Sequence, residues 1–313
     1  MEIRTIYIAY ILILLTSSCR EVDEFIPVPE DIYFDFGKEF TQSGDTLSFE
    51  LDLSEPKIIR TPRGTEFVFK PEMFDLQTGA SCSCEKVTIE IIELSKKRDY
   101  MVYGALTVND NNLLISEGAY HISAFFQGKP LQLAPGHQAC FWLPTQLIDP
   151  DMKLFFGEQS NEGFNWIPAG QGGDESSLLA GQWQYNDTTA LINGYQCFSD
   201  RLSWIGINKF GSQTTTTTVC VSLERNSTSE NTVVFAILES QKAILSATDT
   251  GDDQFCFSNL PLGQDITLLG IRKTGEENYE YTSLNTVIEE NQQINLRYRP
   301  VSFNQLQLIL NNL

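Results

Sequence analysis

The chain has 313 residues, 42% of them hydrophobic, and a formal charge of −20 from 41 acidic against 21 basic side chains. That much apolar material excludes wholesale disorder, and the length fits two domains better than one. The acidic balance excludes a nucleic-acid partner, whose phosphates would be repelled, and excludes an anionic lipid surface bound through the protein body.

At the start, Arg4 precedes the apolar run Ile6 to Leu15, and Thr16, Ser17, Ser18 and Cys19 follow. A charge, an apolar stretch and small residues before a cleavage point are the layout of a secretory signal. The run is too short to cross a bilayer, which needs roughly 20 residues. The cysteine straight after the small residues resembles the lipobox of bacterial lipoproteins. Thr16, where an aliphatic residue is usual, matches the Bacteroidetes-like version. The resemblance implies a signal peptide over 1–18, a lipid on Cys19 and attachment to the outer membrane. A plain secretory signal beside a chance cysteine is the competing reading. Residues 19–31 read as an acidic tether, with Glu21, Asp23 and Glu24 near the cysteine and Pro27 and Pro29 keeping the segment extended. Such acidic starts resemble the export signals of surface-exposed Bacteroidetes lipoproteins; a periplasmic-facing location is the alternative.

Residues 32–170 are expected to form a first β-sandwich. Leu47, Phe49, Leu51 and Leu53 alternate with polar residues, as do Val87, Ile89 and Ile91, which is the period of a half-buried strand. Asn109 to Asn112 and Gly128-Lys129-Pro130 have turn composition between further short apolar runs. No helix is evident in this stretch.

Gly64-Thr65 with Phe67, Phe69, Pro71 and Phe74 resembles the opening of a β-module shared by zonula occludens proteins, ankyrins and netrin receptors. A related block in Bacteroidetes lipoproteins continues as Val87, Ile89, Ile91 and Glu93 do here, then as Leu113, Leu114, Gly118, Ile122 and Ala124. Gly128, Leu131, Leu133 and Gly136 extend the match, followed by Phe141, Leu143 and Pro144, and by Leu154, Phe155, Gly157 and Trp166. Lys70 before the proline, and Cys82 and Cys84 in the turn, depart from the pattern. The resemblance covers residues 45–168 and implies an interaction or scaffolding module with no catalytic set.

Residues 171–203, beginning with the glycine-rich Gln171 to Ser177, are expected to be a linker or connecting region. A second β-sandwich is expected over 204–300, starting at Trp204 to Phe210. It includes the threonine run Thr214 to Thr218, whose β-branched residues favour a strand. Phe257 to Gly263 resembles a step of transthyretin-like, carboxypeptidase-regulatory-type sandwiches. In 301–313, Ser302 with Gln305 makes a capping box, and Phe303, Leu306, Leu310 and Leu313 share one face of an amphipathic helix. A helix that short must pack on something, and the second sandwich is the expected support. The fold expected is all-β.

Cys19 aside, Cys82, Cys84, Cys140, Cys197, Cys220 and Cys256 remain. An even number in an exported chain permits disulfides in fifteen connectivities, with buried free thiols as the competing reading. Cys82 and Cys84, two apart, are strained for mutual pairing. With only His121 and His137 available, a zinc site is disfavoured.

His121-Ile122-Ser123 resembles the His-Phe-Ser self-cleavage site of some relatives of the first module, where the histidine activates the serine against its own preceding peptide bond. A solvent-facing strand histidine is the simpler reading. Asp249, Asp252 and Asp253 around Gly251 are weak calcium candidates that lack the spacing of an EF-hand, and a hairpin turn explains them as well. Trp166, Trp183 and Tyr185 could stack on sugars or serve as packing. No phosphate loop, dinucleotide fingerprint or nucleophile elbow occurs, so no cofactor is expected. The sequence therefore predicts a non-enzymatic, lipid-anchored envelope protein whose partner is an unidentified envelope protein or glycan. A glycan-binding or glycan-processing accessory role is the alternative, and self-cleavage at Ile122–Ser123 a remote one.

Overall fold

The structure, a computed structural model, describes residues 32–313 except 83, 111, 161–162, 172, 185–189, 212–214, 224–226, 239–241 and 252–253. The lipobox and the tether lie outside the described residues.

Alternation becomes strand where it was expected. Leu47 to Leu51 lies on β1 (Thr46–Asp52) and Val87 to Ile91 on β5 (Lys86–Leu94). These join β7 (Asn112–Phe126), β14 (Trp204–Phe210), β10 (Lys153–Ser160) and β11 (Gly163–Pro168) in the spatial order β1-β5-β7-β14-β10-β11. Short strands β4 (Phe74–Leu76), β6 (Val108–Asn109) and β8 (Lys129–Leu133) attach at the ends of this first sheet. The β7–β8 reversal uses Gln127 and Gly128, both at positive φ, the geometry of a tight two-residue hairpin. Lys129 and Pro130, expected in that turn, are already on β8.

The second sheet runs β12 (Ser177–Gln184), β13 (Leu191–Ser199), β9 (Ala139–Pro144), β3 (Glu66–Phe69) and β2 (Lys57–Arg60). It faces the first across a core that includes Phe67, Phe141, Ile89, Ile122 and Ile205. The expected connecting region 171–203 is thus corrected: it supplies β12 and β13. Trp204 to Phe210, expected to open the second module, sits inside the first sheet between β7 and β10. The first sandwich therefore extends through residue 210. An outer strand such as β12 buries little and needs no alternation, so Ser177 to Gln184 looked like linker.

The second sandwich pairs a sheet ordered β18 (Thr248–Gly251), β19 (Gln254–Pro261), β15 (Thr216–Ser222), β22 (Gln292–Asn295) with one ordered β17 (Ala243–Ser246), β16 (Thr232–Leu238), β20 (Asp265–Lys273), β21 (Tyr279–Val287), β23 (Arg299–Val301). The threonine run does enter a strand, β15. Val219, Phe257, Ala236 and Leu268 lie in the core between these sheets.

A third core joins the sandwiches. Phe235 and Ile237 on β16, with Leu269 and Ile271 on β20, turn away from their own sandwich. They meet Leu94, Phe155 and Trp166 from the first sheet. Burial on both faces is why β16 and β20 are nearly continuous apolar runs. Three short helices line the same seam: α1 (Phe36–Phe40), α2 (Lys97–Val102) and α3 (Phe303–Asn311). Asp35 caps α1 by accepting from the Lys38 amide, and the Ser302–Gln305 capping box starts α3 as expected. Segments the length of α1 and α2 give no readable period and persist only because they are packed.

The Phe303 ring stacks on Phe40 with centroids 5.2 Å apart and contacts Tyr279. The Thr107 hydroxyl accepts from the Ile244 amide at 2.7 Å, and Glu39 holds both Lys273 and the Tyr279 hydroxyl. The two sandwiches form one body through this seam.

Sheet edges are mostly protected against pairing with another strand. Strand β1 carries Glu50 and Asp52, β2 carries Lys57 and Arg60, β23 contains Pro300, and β17 is held against Thr107. On β11, Asn165 is tied to Asp110 and the strand ends at Pro168. Strand β22 has four residues and pairs in parallel, and β18 is equally short.

Candidate functional site

The register of the second sheet collects apolar side chains on its outer face. Ile58 stands opposite Val68, Val68 opposite Cys140, and Cys140 opposite Phe198. One step along, the row runs from the Arg60–Glu66 ion pair to Trp142, then Gln196 and Leu179, while Trp183 faces Ile192, so the apolar side chains there stand beside one ion pair. Ile58 is 53% exposed and Leu179 54%, while Trp142 and Trp183 are half-buried. The Trp183 ring lies over Gly194, where an added Cβ would come within 2.6 Å of it, so glycine is required there. Two other outer faces differ. Ser48, Glu50, Thr88, Glu90 and Ser123 make the free part of the first sheet polar, and the β16–β20 face is consumed by the seam. Exposed apolar patches with aromatic residues mark binding surfaces.

A second feature is polar and enclosed. The tight turn from β2 to β3, closed by the Gly64 amide on the Thr61 carbonyl with Gly64 at φ 91°, brings two hydroxyls onto Glu93 of β5. Thr61 Oγ1 and Thr65 Oγ1 donate to Glu93 Oε1 at 3.2 and 3.1 Å. Thr65 Oγ1 also lies 2.8 Å from the buried Tyr120 hydroxyl. Because Thr65 spends its one proton on Glu93, Tyr120 donates to Thr65 and a directed chain runs from phenol to carboxylate. Burial pushes the Glu93 carboxyl above its usual range, against the two hydroxyls and the nearby Arg63 guanidinium. Thr65 and Glu93 both belong to the residues that carry the resemblance of the first module.

Beside this chain, Arg98 is salt-bridged to Asp45 at 3.0 Å and Asp99 at 3.4 Å and donates to the Phe40 carbonyl. The cleft between Arg63, Glu93, Asp99 and Tyr103 holds about 180 Å³, below the 300–1,000 Å³ typical of ligand pockets. Its carboxylates are engaged by hydroxyls and guanidinium groups, which makes it a fastening between hairpin, sheet and seam.

His121 and Ser123 share the outer face of β7, with Ser123 Oγ 3.4 Å from His121 Nδ1. The ring packs against Trp204 at 4.8 Å, and burial lowers the His121 pKa, favouring the neutral base form. Between them, however, Ile122 lies in an unbroken ladder, opposite Ile91 on β5, with its amide on the Ser203 carbonyl and its side chain in the core. The backbone at 121–123 has no positive φ. The strand is regular at this step, with Ile122 and Ser123 paired to Ile91 and Glu90 of β5.

The six cysteines sort themselves. Cys220 and Cys256 stand opposite each other on β15 and β19 and are bridged, with Cα atoms 4.1 Å apart. Cys82 and Cys84, whose spacing makes mutual pairing strained, are also paired with each other, their Cα atoms 5.1 Å apart. Cys140 and Cys197 are free, since neighbouring strands direct one to the outer face and the other into the core.

Among the described residues no group of three metal-ligating side chains occurs. Asp249 lies on β18 and Gly251 pairs with Gln254, as a hairpin requires, while Asp252 and Asp253 fall outside the described residues. Trp166 is no surface platform: it is fully buried, donating from Nε1 to the Leu106 carbonyl at 2.9 Å. Tyr185 and Cys19 lie outside the described residues. Sequence reasoning missed Trp142, whose signal was a run apolar at consecutive positions, Phe141-Trp142-Leu143, on a strand with both faces apolar.

No protein-family model and no curated protein matches the chain. A solved structure of the Bacillus anthracis TIE protein is similar to it at 12% identity and a TM-score of 0.21. That match covers 63% of this chain and 38% of the TIE chain, so the chain spans well under half of that protein's length.

Proposed function

We propose that the chain is a lipid-anchored cell-envelope protein that presents a rigid pair of β-sandwiches to a binding partner and performs no chemistry of its own. The observation that carries the reading is the apolar outer face of the second sheet, with Ile58, Leu179, Trp142 and Trp183, on a chain of charge −20. The shared seam supports it, because apolar surface invested there holds both modules in one orientation. Anchoring rests on Cys19 and the short apolar run before it. The test is metabolic lipid labelling and protease shaving of intact cells, comparing wild type with Cys19→Ala. Labelling and membrane attachment that vanish in Cys19→Ala support the anchor; unchanged attachment overturns it.

A second reading, a glycan-binding accessory protein, is favoured by Trp142 and Trp183 on one face, since indole rings stack on sugars. Migration through polysaccharide-containing gels decides between the partners. Retardation that Trp142→Ala abolishes identifies a glycan, and mobility independent of the polysaccharide leaves a protein partner.

A further inference from the structure

We infer that β12 is a self-association edge, pairing antiparallel with β12 of a second copy to make one ten-stranded sheet from two five-stranded ones. Strand β12 reads Ser-Leu-Leu-Ala-Gly-Gln-Trp-Gln, eight residues without a charge or a proline. It lies at the end of its sheet with six of its eight residues exposed and Leu178 and Trp183 half-buried. The other edges described above are charged, proline-bearing, covered or half its length. From Ser177 to Trp183 this uncharged, extended edge can offer its main chain to an incoming strand.

The sequence of the strand specifies which occupant fits. A two-fold axis perpendicular to the sheet keeps the inner face of one copy beside the inner face of the other. Residues facing each other across the axis must then point the same way, which permits registers centred on a residue and excludes those centred between two. Centred on Gly181, the outer row becomes self-complementary. Leu179 faces the partner's Trp183, Gly181 faces the partner's Gly181, and Trp183 faces the partner's Leu179. Aromatic–aliphatic pairs of this kind are the stabilising unit of antiparallel sheets. Centred instead on Ala180, Leu179 would face glycine and Trp183 would face serine, so both apolar contacts would be lost.

Charge points to the same line. Two copies that each carry −20 repel over most of their surfaces, and association needs a contact strip free of carboxylates. Strand β12 supplies one, and pairing along it makes the outer apolar faces of both copies continuous. The inference does not depend on lipid anchoring or on what the face binds.

Gly181 is the position to test. It is not at positive φ, and nothing lies within 4 Å of where its Cβ would stand, so replacing it leaves the monomer intact. In the full chain carrying Cys19→Ser and Cys140→Ser, Gly181→Cys is expected to give a disulfide-linked dimer on a non-reducing gel after copper–phenanthroline oxidation. Residues facing each other across the axis fall within the roughly 4.4–6.8 Å Cα separation that a disulfide spans. Ala180→Cys, displaced from its own copy in that register, is expected to give none. Wild type is expected to sediment as a dimer, and Gly181→Lys, which places two ammonium groups face to face, is expected to abolish it. The inference is overturned if wild type stays monomeric up to about 1 mM. It is equally overturned if Gly181→Lys leaves the dimer unchanged, or if Ala180→Cys cross-links as well as Gly181→Cys.

Discussion

Leu310→Ala tests whether the two sandwiches are one cooperative unit. Leu310 is fully buried on α3, within the seam that also holds Phe155 and Trp166 of the first sandwich and Phe235 and Leu269 of the second. Removing a buried leucine side chain costs about 2–5 kcal/mol, the spread reflecting how far the cavity collapses. Taking about 3 kcal/mol and a shift of roughly 2–4 °C per kcal/mol for a unit of this size class, Tm falls by about 6–12 °C. The chain contains its own reporter. All four tryptophans, Trp142, Trp166, Trp183 and Trp204, lie in the first sandwich, whereas α3 follows the last strand of the second. Tryptophan fluorescence during heating should therefore record the full shift, coincident with the calorimetric transition. A fluorescence midpoint that stays put while calorimetry resolves a separate, lowered transition would refute the shared-seam account.

Three further outcomes are expected. Glu93→Gln keeps an acceptor for Thr61 and Thr65 but removes the charge that burial disfavours. Because the folded state holds its proton above the ordinary value of 4.5, the unfolded state ionises first. Wild type should thus lose stability relative to Glu93→Gln as pH rises from 4.5 through the raised value, with no loss below it; urea midpoints with a pH-independent difference would contradict this. Cys220→Ser opens a loop whose ends are 36 residues apart, and chain entropy alone sets the cost at about 3–4 kcal/mol, measurable as a lower denaturation midpoint. The purified chain should run as a single full-length species on a denaturing gel, with Ser123→Ala indistinguishable from it; two fragments absent from Ser123→Ala would show that β7 does cleave itself.

Much of the fold was legible because burial on one face leaves a period of two. Leu47 to Leu51 and Val87 to Ile91 announced β1 and β5, and Ser302 with Gln305 announced α3. What escaped lacked such a signature for physical reasons. An exposed edge such as β12 need not alternate, so Leu178 to Trp183 resembled connector. Strand β14 is buried on both faces in the middle of the first sheet, and nothing local in Trp204 to Phe210 tells which sheet claims it. Helices α1 and α2 exist because the seam holds them. At the candidate site, Trp183 was visible and Trp142 was not, since the outer face is a product of register across β2, β3, β9, β13 and β12. The Thr65–Glu93 contact likewise joins residues that only the folding of the β2–β3 hairpin over β5 brings together.

The position of α1 has a mechanical consequence. The described chain enters at residue 32, and its first fixed points are the Phe34 amide on the Glu230 carbonyl at 2.8 Å and the rings of Phe34, Phe36 and Phe40. Tension arriving from the N-terminal side therefore pulls on the joint before it reaches any strand. Each sandwich is closed by ladders of backbone hydrogen bonds, whereas α1 is held by side chains and a few bonds, so α1 is the element that yields first. A tug would peel three phenylalanines from between the modules and loosen their mutual orientation while both sandwiches stayed folded. For force applied from that side, the joint would act as a fuse.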